Sequence, residues 1–138
     1  MNKPLMIGVL ALTMGAGLLG GCSAGKVDYA RAFPNGAPRE ESVSIQVLRD
    51  ETTITLTNTT AQGYGPSTLW LNRWYSRPID GLAVGQTMTI PLKEFRDATS
   101  EAFRGGGFWA TQQPMRIVSA DLEHEDRLVG LVVIADRD

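Results

Sequence analysis

The sequence has little of what metal sites, disulfides and nucleic-acid interfaces usually require. It contains one cysteine and one histidine among 138 residues, which excludes an internal disulfide and a zinc site built from several such ligands. Its 13 basic and 15 acidic side chains nearly balance, and the arginines are dispersed, so the basic stripe of a nucleic-acid-binding protein is missing. No apolar run reaches the roughly 20 residues that a bilayer-spanning helix needs. We therefore expect no metal, no cofactor and no nucleic-acid partner.

The one cysteine, Cys22, follows a segment that is built like a secretory signal. Lys3 gives an early positive charge, and an apolar run extends from Leu5 to Leu19. The four residues Leu19-Gly20-Gly21-Cys22 resemble the lipobox of bacterial lipoproteins. A free thiol or a permanent anchor helix are the alternative interpretations of this segment.

The lipobox resemblance implies an address in the cell envelope. Residues 1–21 would be a lipoprotein signal peptide, and Cys22 would carry the acyl chains, palmitate among them, that make membrane lipid a partner. Ser23, rather than an aspartate, follows the cysteine. In Gram-negative lipoproteins that pattern implies export to the outer membrane, with the protein facing the periplasm.

Residues 22–41 are predicted to be a lipidated N-terminus and flexible linker, because prolines and glycines interrupt any period. Such a linker is long enough to hold a domain clear of the membrane. Tyr29 and Phe33 offer an alternative, in which this segment docks on the domain as a first edge strand. Residues 42–138 are long enough to form one domain with its own core.

From Ser42 onwards the hydrophobic pattern has the period of two that is typical of half-buried strands. If Asp50-Glu51 is a two-residue turn, Val47 pairs with Ile54 in the next strand and the apolar residues share one face. The predicted core face consists of Val43, Ile45, Val47, Ile54 and Leu56. A closing hairpin around His124-Glu125-Asp126 is predicted from residues 116–122 and 127–134, the latter as one strand.

Between these hairpins, residues 91–102 are predicted to form a short helix, and residues 108–110 another short strand. The phrase Gly81–Ile90 resembles the loop-and-strand pattern of bacterial immunoglobulin-like and fibronectin type III-like domains. About seven short strands at regular spacing favour an all-β fold. We predict a small antiparallel immunoglobulin-like β-sandwich.

Few residues could carry catalysis. His124 lies between Glu123 and Glu125 at the predicted hairpin tip, where solvent would surround it, and no serine has a nucleophile-elbow setting. The acidic residues 121–126 lack the spacing of a calcium loop. Gly105-Gly106-Gly107 lacks the lysine that follows in a phosphate loop. We therefore predict that the protein is not an enzyme.

Trp70, Tyr75 and Arg77 form the candidate binding surface. If Asn72-Arg73 is a two-residue turn, Trp70 pairs with Tyr75 on the face away from the core, with Arg77 nearby. Such residues are frequent among interface hot spots. A three-residue loop would change the pairing and bury Trp70.

Together these patterns predict a lipid-anchored cell-envelope protein with a non-catalytic binding or structural module. Its partner would be an envelope protein or a polysaccharide. The alternative is an envelope hydrolase, or its accessory domain, acting on cell-wall polymers. A third possibility is an inhibitor that presents the loop Phe103–Phe108, with Arg104, to a protease.

Overall fold

The computed structural model describes residues 28–134, which form two β-sheets packed as a sandwich. The nine strands are β1 (Arg39–Glu40), β2 (Ile45–Asp50), β3 (Thr53–Asn58), β4 (Ser67–Leu71), β5 (Tyr75–Ile79), β6 (Thr87–Pro91), β7 (Ala120–His124), β8 (Arg127–Gly130) and β9 (Val132–Ile134). Sheet A has the order β1-β8-β7-β4-β5, and sheet B has the order β6-β3-β2-β9. The predicted all-β sandwich is confirmed, with nine strands in place of about seven.

The β2–β3 hairpin confirms the predicted core face but not the predicted pairing. Ile45, Val47, Ile54 and Leu56 are all at most 1% exposed. The turn lies at Glu51-Thr52, so Val47 pairs with Leu56 instead of Ile54. A shift of two residues keeps every side chain on its face, so the apolar pattern cannot distinguish the two registers.

The core lies between the two sheets and is closed at one end by residues that were predicted to be helical. Only Leu92–Glu94 forms a turn of 3₁₀ helix. Phe95 then resumes extended backbone and accepts a hydrogen bond from the Phe103 amide at 2.9 Å. The predicted helix over residues 91–102 is therefore wrong, because Leu92, Phe95 and Phe103 enter the core from an extended, cross-bridged segment.

The closing hairpin turns where predicted, but its last strand divides between the sheets. Glu125 and Asp126 occupy the turn with φ angles of 48° and 61°, the left-handed conformation that two-residue hairpin turns require. After Gly130 the chain crosses to sheet B, where β9 pairs in parallel with β2. The apolar run 128–134 thus contributes to two sheets: Leu128 and Val129 are buried in sheet A, whereas Val132 and Ile134 are exposed on the outer face of sheet B. Among the described residues, none belongs to a helix long and apolar enough to cross a membrane.

The segment Asp28–Glu41 lies across the outer face of sheet A. The ring of Phe33 packs edge-on against Trp70 with centroids 5.2 Å apart, and β1 pairs in parallel with β8. Residues 28–41 of the predicted linker are therefore docked on the domain. Tyr29 and Phe33 contact it, as in the alternative interpretation, but the edge strand is formed by Arg39–Glu40. The signal peptide predicted over residues 1–21, and Cys22 itself, lie outside the described residues.

Candidate functional site

The loop between β4 and β5 has three residues instead of the two on which the predicted binding surface depends. Leu71 pairs with Tyr75, so Asn72, Arg73 and Trp74 form the loop and Trp70 pairs with Ser76. The carboxamide of Asn72 fixes this loop by donating to the Arg116 carbonyl at 2.7 Å and accepting from the Val118 amide at 2.8 Å. An odd shift of register moves Trp70 and Tyr75 to opposite faces of sheet A.

The three predicted residues do not form an accessible binding surface. Trp70 is fully buried on the outer face, where its indole N–H donates to Glu123 at 2.7 Å and the Arg31 guanidinium lies 4.9 Å from its ring centre. Tyr75 is buried in the core against Phe103. Arg77 is held at the sheet edge by Glu94, with nitrogen and oxygen 2.8 Å apart. The predicted platform of Trp70, Tyr75 and Arg77 is therefore wrong.

A small polar cavity of about 290 Å³ lies at the end of the sandwich where β7 turns into β8. Its lining brings together residues from β1, from the loop before β4 and from the closing hairpin: Glu40, Gln62, Tyr64, His124, Glu125, Arg127 and Val129. His124 is less solvated than predicted, since 21% of its side chain is exposed and its ring packs edge-on against Tyr64. No local pattern indicates this convergence, because the three segments are far apart in the chain.

The hydrogen bonds of His124 determine what it can do in this cavity. Its Nδ1 lies 3.0 Å from the Ser67 hydroxyl, which itself donates to the Gly65 carbonyl at 2.8 Å. The hydroxyl has one proton, so Ser67 accepts from Nδ1–H when it donates to the Gly65 carbonyl, and it donates to Nδ1 in the other tautomer of His124. The Nε2 atom of His124 lies 3.8 Å from a Glu125 oxygen.

The charges around the cavity are largely solvated. Glu40 and Arg127 form an ion pair at 3.0 Å whose side chains are 47% and 62% exposed. Burial, and next the negative charge of Glu40, raise the pKa of Tyr64 above its ordinary value. Tyr64 is therefore a neutral hydrogen-bond donor at neutral pH. Within residues 28–134, no group of three or more His, Cys, Asp or Glu side chains is arranged to hold a metal ion.

The opposite end of the sandwich carries an exposed aromatic pair that the sequence interpretation missed. Phe108 is 91% exposed and Trp109 is 88% exposed, and their rings meet edge to face with centroids 4.8 Å apart. They occupy the centre of a turn that the Ala110 amide closes on the Gly107 carbonyl at 3.0 Å. We call Phe108 and Trp109 the aromatic tip.

Glycines bring the aromatic tip into this position. A side chain at Gly105 would lie 3.0 Å from the Cβ of Leu92, so the backbone passes directly over the end of the core. Gly106 and Gly107 then adopt φ angles of 84° and 114°, which favour glycine. The sequence predicted a strand over residues 108–110, whereas the glycines end the extended course and project both rings outwards.

The surroundings of the aromatic tip are apolar and positively charged. Arg104 and Arg116 are exposed and are the only charged residues from Ala102 to Ala120. Trp74 is 61% exposed and Val118 is 76% exposed on the adjoining segments. An open groove of about 1210 Å³ separates the tip from the β2–β3 turn, where Asp50 and Glu51 lie.

Comparison of the chain with protein-family models, with curated proteins and with solved structures gave no match.

Proposed function

We propose that this protein is a lipid-anchored component of the bacterial cell envelope and that its β-sandwich is a non-catalytic binding module. The anchor is Cys22 of the lipobox-like sequence Leu19-Gly20-Gly21-Cys22. The observation that carries the binding role is the aromatic tip. An adjacent pair of large aromatic rings that is almost fully exposed to water is typical of a surface that contacts a partner. The tip takes the place of the predicted platform as the contact surface.

The chemistry of His124 supports a binding role over a hydrolytic one. A serine nucleophile must transfer its proton to the histidine, and the Gly65 carbonyl, 2.8 Å from the Ser67 hydroxyl, competes for that proton. Ser67 is also only 8% exposed, so a polymer substrate has no approach to its hydroxyl.

The anchor is tested by Cys22→Ser in the full chain. Labelled palmitate should be incorporated into the parent protein and be absent from the variant, which should remain uncleaved or leave the membrane fraction. Each buried CH₂ contributes about 0.8 kcal/mol, so two or more acyl chains are needed for a firm anchor. Equal labelling and equal membrane partitioning of the two proteins would contradict the anchor.

The proposed location in the outer membrane is tested by a separate matched variant. Ser23→Asp keeps the cysteine but changes the residue that follows it, and should move the lipidated protein to the inner-membrane fraction. If both proteins separate with the outer membrane, residue 23 does not decide the address.

The His124 cavity favours a second candidate, an envelope hydrolase acting on cell-wall polymers. Glu40 and Glu125 line the same cavity as His124 and the Tyr64 hydroxyl, and paired carboxylates are the groups that cleave glycosidic bonds. At about 290 Å³ the cavity is at the small end of ligand sites.

Release of soluble fragments from purified cell wall tests this candidate. Activity that is lost in Glu40→Gln or Glu125→Gln, and kept in Asp126→Asn at the same turn, would establish the hydrolase. No release by the parent protein would remove it.

A further inference from the structure

We propose that the aromatic tip rests in the interfacial layer of the membrane that holds Cys22, so that the domain lies against an anionic bilayer surface. This inference rests on the proposed lipid anchor and adds what the aromatic tip contacts. The occupant is phospholipid, and three features of the chain favour it.

The first feature is the short distance between the anchor and the domain. Six peptide units separate Cys22 from Asp28, and a fully extended chain covers at most about 3.6 Å per residue, so the tether reaches about 20 Å. Because residues 28–41 are docked on sheet A, they add nothing to that reach. The domain is therefore held close to the bilayer rather than clear of it.

The second feature is the end of the sandwich at which the tether arrives. The Tyr29 hydroxyl donates to the Glu94 carbonyl at 2.5 Å. Glu94 belongs to the 3₁₀ turn beginning at Leu92, whose amide donates to the Thr52 carbonyl at 2.9 Å. Gly105 and Gly107 pass directly over Leu92 and Thr52. The chain therefore enters the domain at the end that carries the aromatic tip, and the His124 cavity lies at the other end.

The third feature is the chemistry of the tip. Tryptophan and other aromatic side chains concentrate at the boundary between headgroups and acyl chains, where an apolar ring and a polar N–H are both accommodated. Arg104 and Arg116 flank the tip, as an anionic lipid surface favours, while Asp50 and Glu51 lie on the far side of the groove. The edge-to-face rings form a wedge and not a flat platform. This shape favours insertion between lipids over stacking against a sugar ring.

The experiment uses the full chain with its native lipid, reconstituted in vesicles of phosphatidylethanolamine and phosphatidylglycerol with brominated acyl chains. Bromine quenches tryptophans that reach the acyl region. The chain has three tryptophans, and Trp70 is fully buried. We expect quenching in the parent protein, its retention in Trp74→Phe and its loss in Trp109→Phe. Because Trp109 is 88% exposed, Trp109→Phe should keep the parent's thermal midpoint.

Two results would overturn the inference. Equal quenching in the parent and Trp109→Phe would place another tryptophan at the membrane, and no quenching would leave the tip facing away, available to a protein or a polysaccharide. In vesicles of phosphatidylcholine alone the quenching should fall, as it should for Arg104→Gln/Arg116→Gln. Equal quenching there would overturn the part assigned to charge.

The mass of the acylated N-terminal peptide is measured on the same sample, which separates this inference from the proposed function. A lipidated protein whose Trp109 is not quenched keeps its anchor and loses the membrane-facing tip. A protein without the acyl mass has no anchor, and both proposals then fail.

Discussion

The two sheets differ in what covers their outer faces. On sheet A, Trp70, Asp121 and Leu128 are at most 2% exposed beneath the segment Asp28–Glu41. On sheet B the outer face is open to water. Threonines line β3 and β6, where hydroxyls pair across the strands at 3.1 Å (Thr55 with Thr89) and 3.2 Å (Thr57 with Thr87), and β2 and β9 expose Leu48, Val132 and Ile134.

Sheet A shows how a covering segment stabilises a sheet that carries carboxylates and an aromatic ring on its outer face. Two carboxylates of β7 point outwards beside Trp70, and each receives an arginine from the covering segment: Arg31 lies 2.6 Å from Glu123, and Arg39 lies 2.5 Å from Asp121. On β3 and β6 of sheet B the threonine hydroxyls bond to one another across the strands and to water, so this half of the outer face carries no buried carboxylate that would need a partner. The N-terminal segment is thus part of the folded domain and not only a tether.

The largest expected effect is the loss of the ring beneath the cover. Trp70→Ala should lower the free energy of unfolding by about 3–5 kcal/mol, because it leaves a cavity between Phe33 and the sheet and removes the indole hydrogen bond to Glu123. Trp109→Ala is the matched control, since Trp109 is 88% exposed. Urea denaturation measures both, and similar midpoints for the two variants would refute the covered face.

A smaller effect on the free energy of unfolding is expected from the ion pair between Arg39 of the covering segment and Asp121. Arg39→Ala should destabilise by about 1–3 kcal/mol, because the Asp121 side chain is only 3% exposed and loses its close partner. Arg73 lies further away, at 3.8 Å. The control is Arg127→Ala, whose ion pair with Glu40 is solvated and should contribute less than about 1 kcal/mol. An effect at Arg127 as large as that at Arg39 would show that burial does not matter here.

Acid should weaken the edge of sheet A through Asp97. Burial raises the pKa of this carboxyl, but hydrogen bonds from Thr99, the Glu101 amide and Trp74 outweigh it, and the pKa lies below its ordinary value. Because the folded-state pKa is the lower one, the stabilisation is present above about pH 4 and is lost as the pH falls through the folded-state pKa.

Asp97→Asn tests this through thermal midpoints measured between neutral pH and about pH 2. The variant should be less stable than the parent at neutral pH and should lose less on acidification. Asp126→Asn, at an exposed turn, should follow the parent curve. A parent and an Asp97→Asn variant with parallel acid curves would contradict the assignment.

The smallest effect is expected on the open face of sheet B. Thr55→Ala removes one cross-strand hydroxyl pair and should change the free energy of unfolding by about 0.2–1 kcal/mol. Ile45→Ala, on the core side of the neighbouring strand, should change it by about 2–5 kcal/mol. Comparable denaturation midpoints for the two would mean that the faces of sheet B are not as different as their exposure indicates.

Local pattern was sufficient to predict the faces of β2 and β3 and the turn at Glu125-Asp126. It did not predict the β2–β3 pairing, because registers two residues apart bury the same side chains. It also failed at β4–β5, where one extra loop residue exchanges the faces of Trp70 and Tyr75. That loop is held by Asn72 contacting Arg116 and Val118, and such long-range bonds leave no local signal.

The candidate surfaces could be predicted only in part. Adjacent aromatic residues after three glycines do indicate a turn in which two rings project together, so the aromatic tip was open to prediction from Gly105–Trp109. The His124 cavity was not, because Glu40 reaches it through the pairing of β1 with β8 and Tyr64 through its bridge with Leu82, and neither contact leaves a local pattern. Burial of Trp70 likewise depends on Phe33, which comes from a segment with no strand period.

The crossing of the chain after Gly130 has a consequence for the order of folding. Val47 pairs with Val133, although nearly the whole domain lies between them in the sequence. Neighbouring strands such as β2 and β3 close short loops and form early, whereas a pairing across so long a loop forms late. The other edge of β2 therefore stays unpaired until residues 132–134 have been synthesised.

An open edge that carries apolar residues is a template for pairing with another chain. β9 covers this edge of β2 and leaves an edge strand of three residues in place of one of six. It is the last strand of the described residues to be synthesised. A nascent chain released before residue 132 would have its main hairpin and most of its core residues but no partner for the edge of β2. Such incomplete chains should self-associate more than the complete protein.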